Sequence, residues 1–160
     1  PPRSTPLYSS AASDVYKRQV FGTGSGGVHE AFRNIARLGL GGTQGPGTQY
    51  VSWLHVDDFL RMIDWCLEHE TLDGAINMCA PNPMPNREFL KALREACGAR
   101  FGLPAAWWML EIGAFFMRTE TELLLKSRRV IPGRLLESGF TFNHPTWPEA
   151  AKAIERSWRG

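Results

Sequence analysis

The residues able to do chemistry gather in two stretches. In the first, FGTGSGGVHE, Gly22, Gly24 and Gly27 follow the order GxGxxG, and such glycines let a backbone loop approach a pyrophosphate at a helix amino terminus. The motif requires a buried strand before it and an acidic residue about 20 positions on. Only Val20 and Phe21 are apolar after the polar run DVYKRQ, and the downstream aspartates Asp57 and Asp58 come too late. The run therefore reads as a glycine-rich turn opening a helix. The second stretch, QYVSWLHVDD at 49–58, holds Ser52, Trp53 and His55. Imidazole titrates near neutrality and suits proton transfer, but no partner for His55 is visible in the sequence, and catalysis requires one within hydrogen-bond reach. Ser52 offers a hydroxyl, and Trp53 an apolar wall with an N–H. Two further candidates lie downstream. Asn82 stands in the proline-held loop APNPMP, a type of position where α/β proteins place ligand contacts, and Arg129, with Lys126 near it, suits a phosphate. The substrate-pocket set is thus Ser52, Trp53, His55, Asn82 and Arg129. No residue is assigned as catalytic and none as a metal ligand. Cys66, Cys79 and Cys97 are odd in number, far apart and without histidines at ligand spacing. They read as buried thiols in a reducing compartment, which points to the cytoplasm.

Elements must position these groups. Tyr50, Ser52 and Leu54 alternate with Val51, Trp53 and His55, predicting one strand. From Val56 the period changes, and Val56, Phe59, Leu60, Ile63 and Leu67 form one stripe of a helix running to about His69. Asp57 and Asp58 stand where carboxylates cap a helix start. Upstream, a helix over 28–38 carries Val28, Phe32, Ile35 and Leu38 on one face and stops at Gly39. The glycine-rich loop 38–47 either lies against a ligand or reverses the chain. Downstream, Ala75 to Cys79 reads as a short buried strand, and 86–97 as a helix with Phe89, Leu93 and Cys97 inward and Gly98 as terminator. Pro104 opens an apolar helix through Phe116. Thr119 with Glu122 and Thr146 with Glu149 form capping boxes. Between them Pro132 opens a short helix ended by Gly139, and Phe140 and Phe142 flank Thr141 in an extended piece.

Composition excludes some function classes. Of 160 residues, 43% are hydrophobic and 21% charged, with a formal net charge of +2. This balance suits a single folded domain with a real core. The basic residues are dispersed apart from Lys126, Arg128, Arg129 and Arg134, so neither a nucleic-acid nor a membrane partner is expected. No apolar run approaches the length of a membrane span.

Several segments in order, LGLGG, SWLHVDD, NMCAPNP, LLLKSRRVIPGRLLESGF and FNHPT, resemble the carboxy-terminal half of atypical extended short-chain dehydrogenase/reductases of the epimerase-family kind. These are relatives of sugar-nucleotide epimerases and dehydratases with a carboxy-terminal domain of unknown function. The resemblance implies an α/β fold: the carboxy-terminal part of a Rossmann-like NAD(P)-binding fold over 20–102, then a small, mainly helical substrate-side domain over 103–160. It implies NAD or NADP as cofactor, with Val20, Phe21 and Gly22 ending the strand near the nicotinamide, and a small-molecule, nucleotide-linked substrate. The family's phosphate-binding glycine motif and its Ser, Tyr and Lys have no counterpart here. Tyr16 and Lys17 do not fit YxxxK, and Pro85 stands where the family often has a capping Thr. Residues 1–19 resemble translated adapter sequence, above all in SSAASDVYKRQ. That implies a disordered, non-native tail, a carboxy-terminal fragment inactive alone, and a missing amino-terminal half as partner. The alternative reading is a noncatalytic cofactor-sensing or partner-binding protein on the same fold, some relatives being labelled as cell-division inhibitors.

Overall fold

A computed structural model describes residues 20–23, 28–39, 41–43, 45–69, 72, 74–99, 101–103, 127 and 129–159. The expected tail at 1–19, the helix from Pro104 and the Thr119 capping box lie outside these residues, as do Gly24, Gly27 and Lys126.

The chain is α/β. In order come β1 (Val20–Phe21), α1 (Val28–Arg37), β2 (Tyr50–Val51), β3 (Leu54–His55), α2 (Val56–Glu68), β4 (Met84–Pro85), α3 (Asn86–Cys97), α4 (Gly133–Glu137) and α5 (Trp147–Arg159). β1 pairs with β3 in parallel, Val20 opposite Leu54 and Phe21 opposite His55. β2 pairs with β4 antiparallel, Tyr50 opposite Pro85.

The strand expected over 50–55 is thus two short strands serving different sheets. Ser52, Trp53, Leu54 and His55 are all buried, so the in-out alternation fails where the chain changes partner. Ala75 to Cys79 forms no strand. Its neighbours are irregular: the Ala80 amide donates to the Trp53 carbonyl (2.7 Å) and the Asn77 side chain to the Ile131 carbonyl (3.5 Å).

Two apolar clusters hold the fold. The larger joins Phe21, Phe32, Ala36, Trp53, Phe89 and Trp147, among others, from β1, α1, the β2–β3 link, α3 and α5. Trp147 is fully buried and stacks on Phe89 at 4.2 Å and 15°, donating its indole N–H to the Phe89 carbonyl (2.9 Å). A smaller cluster gathers Leu54, Met62, Leu135 and Phe140 beneath α2.

Among the described residues the helices form where expected, and two turn a different face inward. On α2 the buried residues are Asp58 and Met62, with Phe59, Trp65 and Cys66 packed beside them, while Leu60 and Leu67 are 55% and 76% exposed. On α1, His29, Phe32 and Ala36 are buried, and Leu38 is exposed. Gly98 takes the left-handed conformation (φ 74°) and ends α3, and Gly139 (φ 87°) follows α4. At the start of α5 the Thr146 hydroxyl donates to the Glu149 carboxylate at 2.7 Å, a side-chain contact between the two residues of the expected capping box and not its reciprocal backbone bonds. The glycine-rich loop turns the chain. Gly39 and Gly42 exchange backbone hydrogen bonds with Leu103 (2.8 and 3.1 Å), and Arg94 donates to the Gly41 carbonyl.

Candidate functional site

The carboxyl ends of β1 and β3 lie side by side because the two strands run parallel in register. That edge carries Gly22 on one strand and the His55–Val56 step on the other. A side chain at Gly22 has no room: its Cβ would sit 2.8 Å from Val56 Cγ1. Glycine is therefore required by close packing of β1 on the head of α2. Val20 is half-buried. The Phe21 ring is committed to the core, 4.8 Å from Trp147 and 5.5 Å from Phe89 between centroids.

His55 closes β3 and caps α2. Its Nδ1 accepts the Asp57 amide hydrogen (3.1 Å), which fixes the neutral tautomer with the proton on Nε2. Burial lowers its pKa from 6.5, and charge on the neighbouring His144 adds to this, against the pull of Asp57 and Asp58. The His144 ring stacks on it at 3.8 Å and 28°. One oxygen of the Asp57 carboxylate, Oδ2, lies 3.5 Å from His55 Nδ1 and 3.6 Å from His144 Nε2. His55, Asp57 and His144 offer ligand atoms all within 4.8 Å of one another.

The two aspartates at the head of α2 do different things. Asp57 is exposed and turns to the histidines. Asp58 is fully buried and accepts the amides of Asn143 and His144, both at 2.8 Å, and the Arg61 guanidinium at 3.1 Å. Neither supplies the side-chain helix cap, which comes from His55.

The remaining expected pocket residues are engaged. The Ser52 hydroxyl accepts the Val130 amide (3.1 Å). Trp53 is 1% exposed, packs on Trp147 at 5.2 Å and donates its N–H to the Asn82 carbonyl (3.1 Å). The Asn82 side chain is exposed and donates to the Pro145 carbonyl (3.0 Å). The Arg129 guanidinium lies 5.0 Å above the Tyr50 ring. Trp53 and Asn82 are thus brought together, while Arg129 stands on β2.

Sequence reasoning missed a second polar group. His29 and Arg33, one turn apart on α1, meet Glu155 of α5 at 3.2 and 2.9 Å. Burial opposes ionisation of Glu155, yet hydrogen bonds from Arg33 and His29 outweigh it and hold its pKa below 4.5. Burial pushes the His29 pKa below 6.5, the Glu155 contact opposing. The neutral ring donates Nε2–H to Glu155 and leaves Nδ1 without a partner among the described residues. Burial, with Glu155 adding, drives the Cys97 thiol up to about 12, and burial alone takes Cys79 to about 11, which keeps both thiols protonated near neutral pH. A depression of ≈ 300 Å³ lies on this side of the molecule, lined by Ala96, Glu149, Lys152, Glu155, Arg156 and Arg159, none from the strand ends. The visible signals were the i, i+4 pair His29/Arg33 and a carboxylate on the apolar side of α5.

The comparisons with known proteins agree with this architecture. A family model described as a domain of unknown function (DUF1731) matches residues 105–154. The human epimerase family protein SDR39U1 is 33% identical over 135 residues, covering 84% of this chain and 45% of that protein. Epimerase family protein Mb2239 of Mycobacterium bovis is 32% identical over 126 residues, covering 79% and 41%. The crystal structure of the human protein (isoform 2) with NADPH matches with a TM-score of 0.76 at 33% identity, over 86% of this chain and 46% of that one. UDP-N-acetylglucosamine 4-epimerase from Bacillus cereus matches with a TM-score of 0.65 at 15% identity, over 89% and 45%, which speaks for the fold alone.

The chain is α/β, and the solved structures that it matches place it in the Rossmann-like epimerase class of folds. Within that class the chain is an atypical short-chain dehydrogenase/reductase sequence of the epimerase family, matching the carboxy-terminal part of its relatives. It spans about half the length of the curated relatives it matches. No helix among the described residues is long and apolar enough to cross a membrane.

Proposed function

We propose that this chain supplies one edge of a nicotinamide dinucleotide site, and the adjoining substrate wall, of an NAD(P)-dependent epimerase- or oxidoreductase-like protein. The observation that carries this reading is the parallel β1–β3 pair, whose carboxyl ends set Gly22 beside His55. Open α/β sheets take ligands in the crevice outside those ends. The residues present fit such an edge: Gly22 exposes backbone without a side chain, and Val20 is half-buried beside it. They do not make a phosphate cradle among the described residues. When bound, the dinucleotide supplies hydride transfer at its nicotinamide.

The chain's own residues bind and position. His55 presents Nε2–H from a ring held by its cap and by His144. The exposed Asn82 and Arg129 side chains offer an amide and a planar cation to a small, nucleotide-linked substrate, guanidinium pairing with phosphate in two-pronged fashion. None of the three tyrosines is followed by Lys at the YxxxK spacing, so the proton-handling groups of this reading lie in the amino-terminal half of the relatives. The chain alone is then inactive and a poor binder of dinucleotide.

Backbone amide NMR during an NADPH titration tests this. Fast-exchange, non-saturating shifts confined to 20–23 and 54–57 are expected. Unshifted amides there would remove the site, and saturation at micromolar NADPH would remove the incompleteness. One observation favours the second reading, a noncatalytic cofactor-sensing protein: the His55 lone pair is already spent on the Asp57 amide. NADPH-dependent turnover by the chain would rule that reading out.

A further inference from the structure

We propose that His55, Asp57 and His144 form a binding site for a first-row divalent transition metal of the zinc class. The donor set is two imidazoles and one carboxylate, which suits such ions and leaves a fourth position for water or a substrate oxygen. The three ligand atoms lie within 4.8 Å of one another, and both carboxylate–nitrogen distances are close to what the ion requires. With metal–nitrogen bonds of about 2.0–2.1 Å, neighbouring ligand atoms of a tetrahedral site lie about 3.3 Å apart. Here Asp57 Oδ2 already stands 3.5 Å from His55 Nδ1 and 3.6 Å from His144 Nε2.

A supporting shell fixes the His55 ring and the His144 backbone independently of any ion. His55 ends β3, which is paired with β1, and is 6% exposed. His144 sits in a turn whose amides at Asn143 and His144 are clamped by the fully buried Asp58. Asp57 Oδ2 already lies near a nitrogen of each ring, but the rings stack at 3.8 Å and 28° with their lone pairs side by side, so binding one ion requires the His144 ring to turn out of the stack. Ligands held by packing and outer hydrogen bonds are what a metal site needs.

The tautomer also suits. His55 keeps its proton on Nε2 because Nδ1 accepts the Asp57 amide hydrogen, so Nδ1 carries the lone pair that a metal would take. Coordination displaces that amide bond and holds the first turn of α2 through the Asp57 carboxylate instead. The plainer alternative is that the histidines only stack and cap the helix. The metal site rests on these three side chains alone and stands or falls apart from the dinucleotide reading.

Titration of the tag-free chain with Co2+, without dinucleotide, separates the two. A four-coordinate nitrogen/oxygen site gives visible d–d bands without a thiolate charge-transfer band. Zn2+ should displace Co2+ and raise Tm. His144→Ala and the exposed Asp57→Asn should each weaken Co2+ binding about 100-fold or more, since even lost outer partners cost 10–100-fold. Absence of the d–d bands would overturn the assignment. So would a thiolate band, or His144→Ala with unchanged affinity; Asp57→Asn gives an independent reading should His144→Ala fail to fold.

Discussion

Asp57 and Asp58 are adjacent and identical, and sequence alone gives both the same role at the start of a helix. The structure separates them because α2 turns Asp58 inward, toward a turn at 141–144 that sequence proximity cannot reveal. Asp58→Ala would strip the acceptor from the Asn143 and His144 amides and from Arg61. Orphaned buried donors cost about 1–3 kcal/mol each. A loss of about 3 kcal/mol is therefore expected by urea unfolding, with Asp58→Asn milder because one amide oxygen remains. His29 and His55 set the pH response together. Both have folded-state pKa values below 6.5, so the unfolded chain binds more protons and stability falls as pH drops below that value. Glu155, depressed below 4.5, contributes stability that is present above that value and is lost on further acidification. Urea midpoints should decline steadily from about pH 7.5 to about pH 4; a midpoint that rises on acidification would contradict these assignments.

At the scale of elements, the long periodic helices were legible and the strands were not. α3 and α5 have spacing that sequence reads directly, down to the Gly98 terminator of α3. β2 and β3 are two residues each, shorter than any periodicity can register. Their side chains answer to different partners, so burial across 52–55 follows tertiary packing and not the pleat. The inward face of α2 was misread for a related reason: it has apolar residues on both sides, and only the position of Phe140 and Leu135 decides which side is covered. The junction of α3 and α5 depends on Trp147, which touches Phe21, Trp53 and Phe89. Trp147→Ala should cost about 3–5 kcal/mol, measured as a lowered urea midpoint. A loss below about 1 kcal/mol would show that the cluster collapses to fill the space.

Across the whole molecule, the family resemblance carried further than local patterning, because several short segments in order specify a fold that no one of them does. Around His55 the sequence shows the neighbours Asp57 and Asp58, but His144 comes from distant sequence and only folding brings it in. Among the described residues each sheet has two strands, and Leu60 and Leu67 leave an apolar stripe on the outer side of α2. Open strand edges and such stripes favour association. Sedimentation velocity should show concentration-dependent self-association, relieved by Leu60→Lys with Leu67→Lys; a monomer at every concentration would speak against it. The Asp58 clamp has one more consequence. It gives two amides in an irregular loop the hydrogen bonds normally found inside regular structure. In deuterated solvent Asn143 and His144 would exchange only when the first turn of α2 parts from the approach to α5, so their slow labelling times how often the two ends of the fold let go of one another.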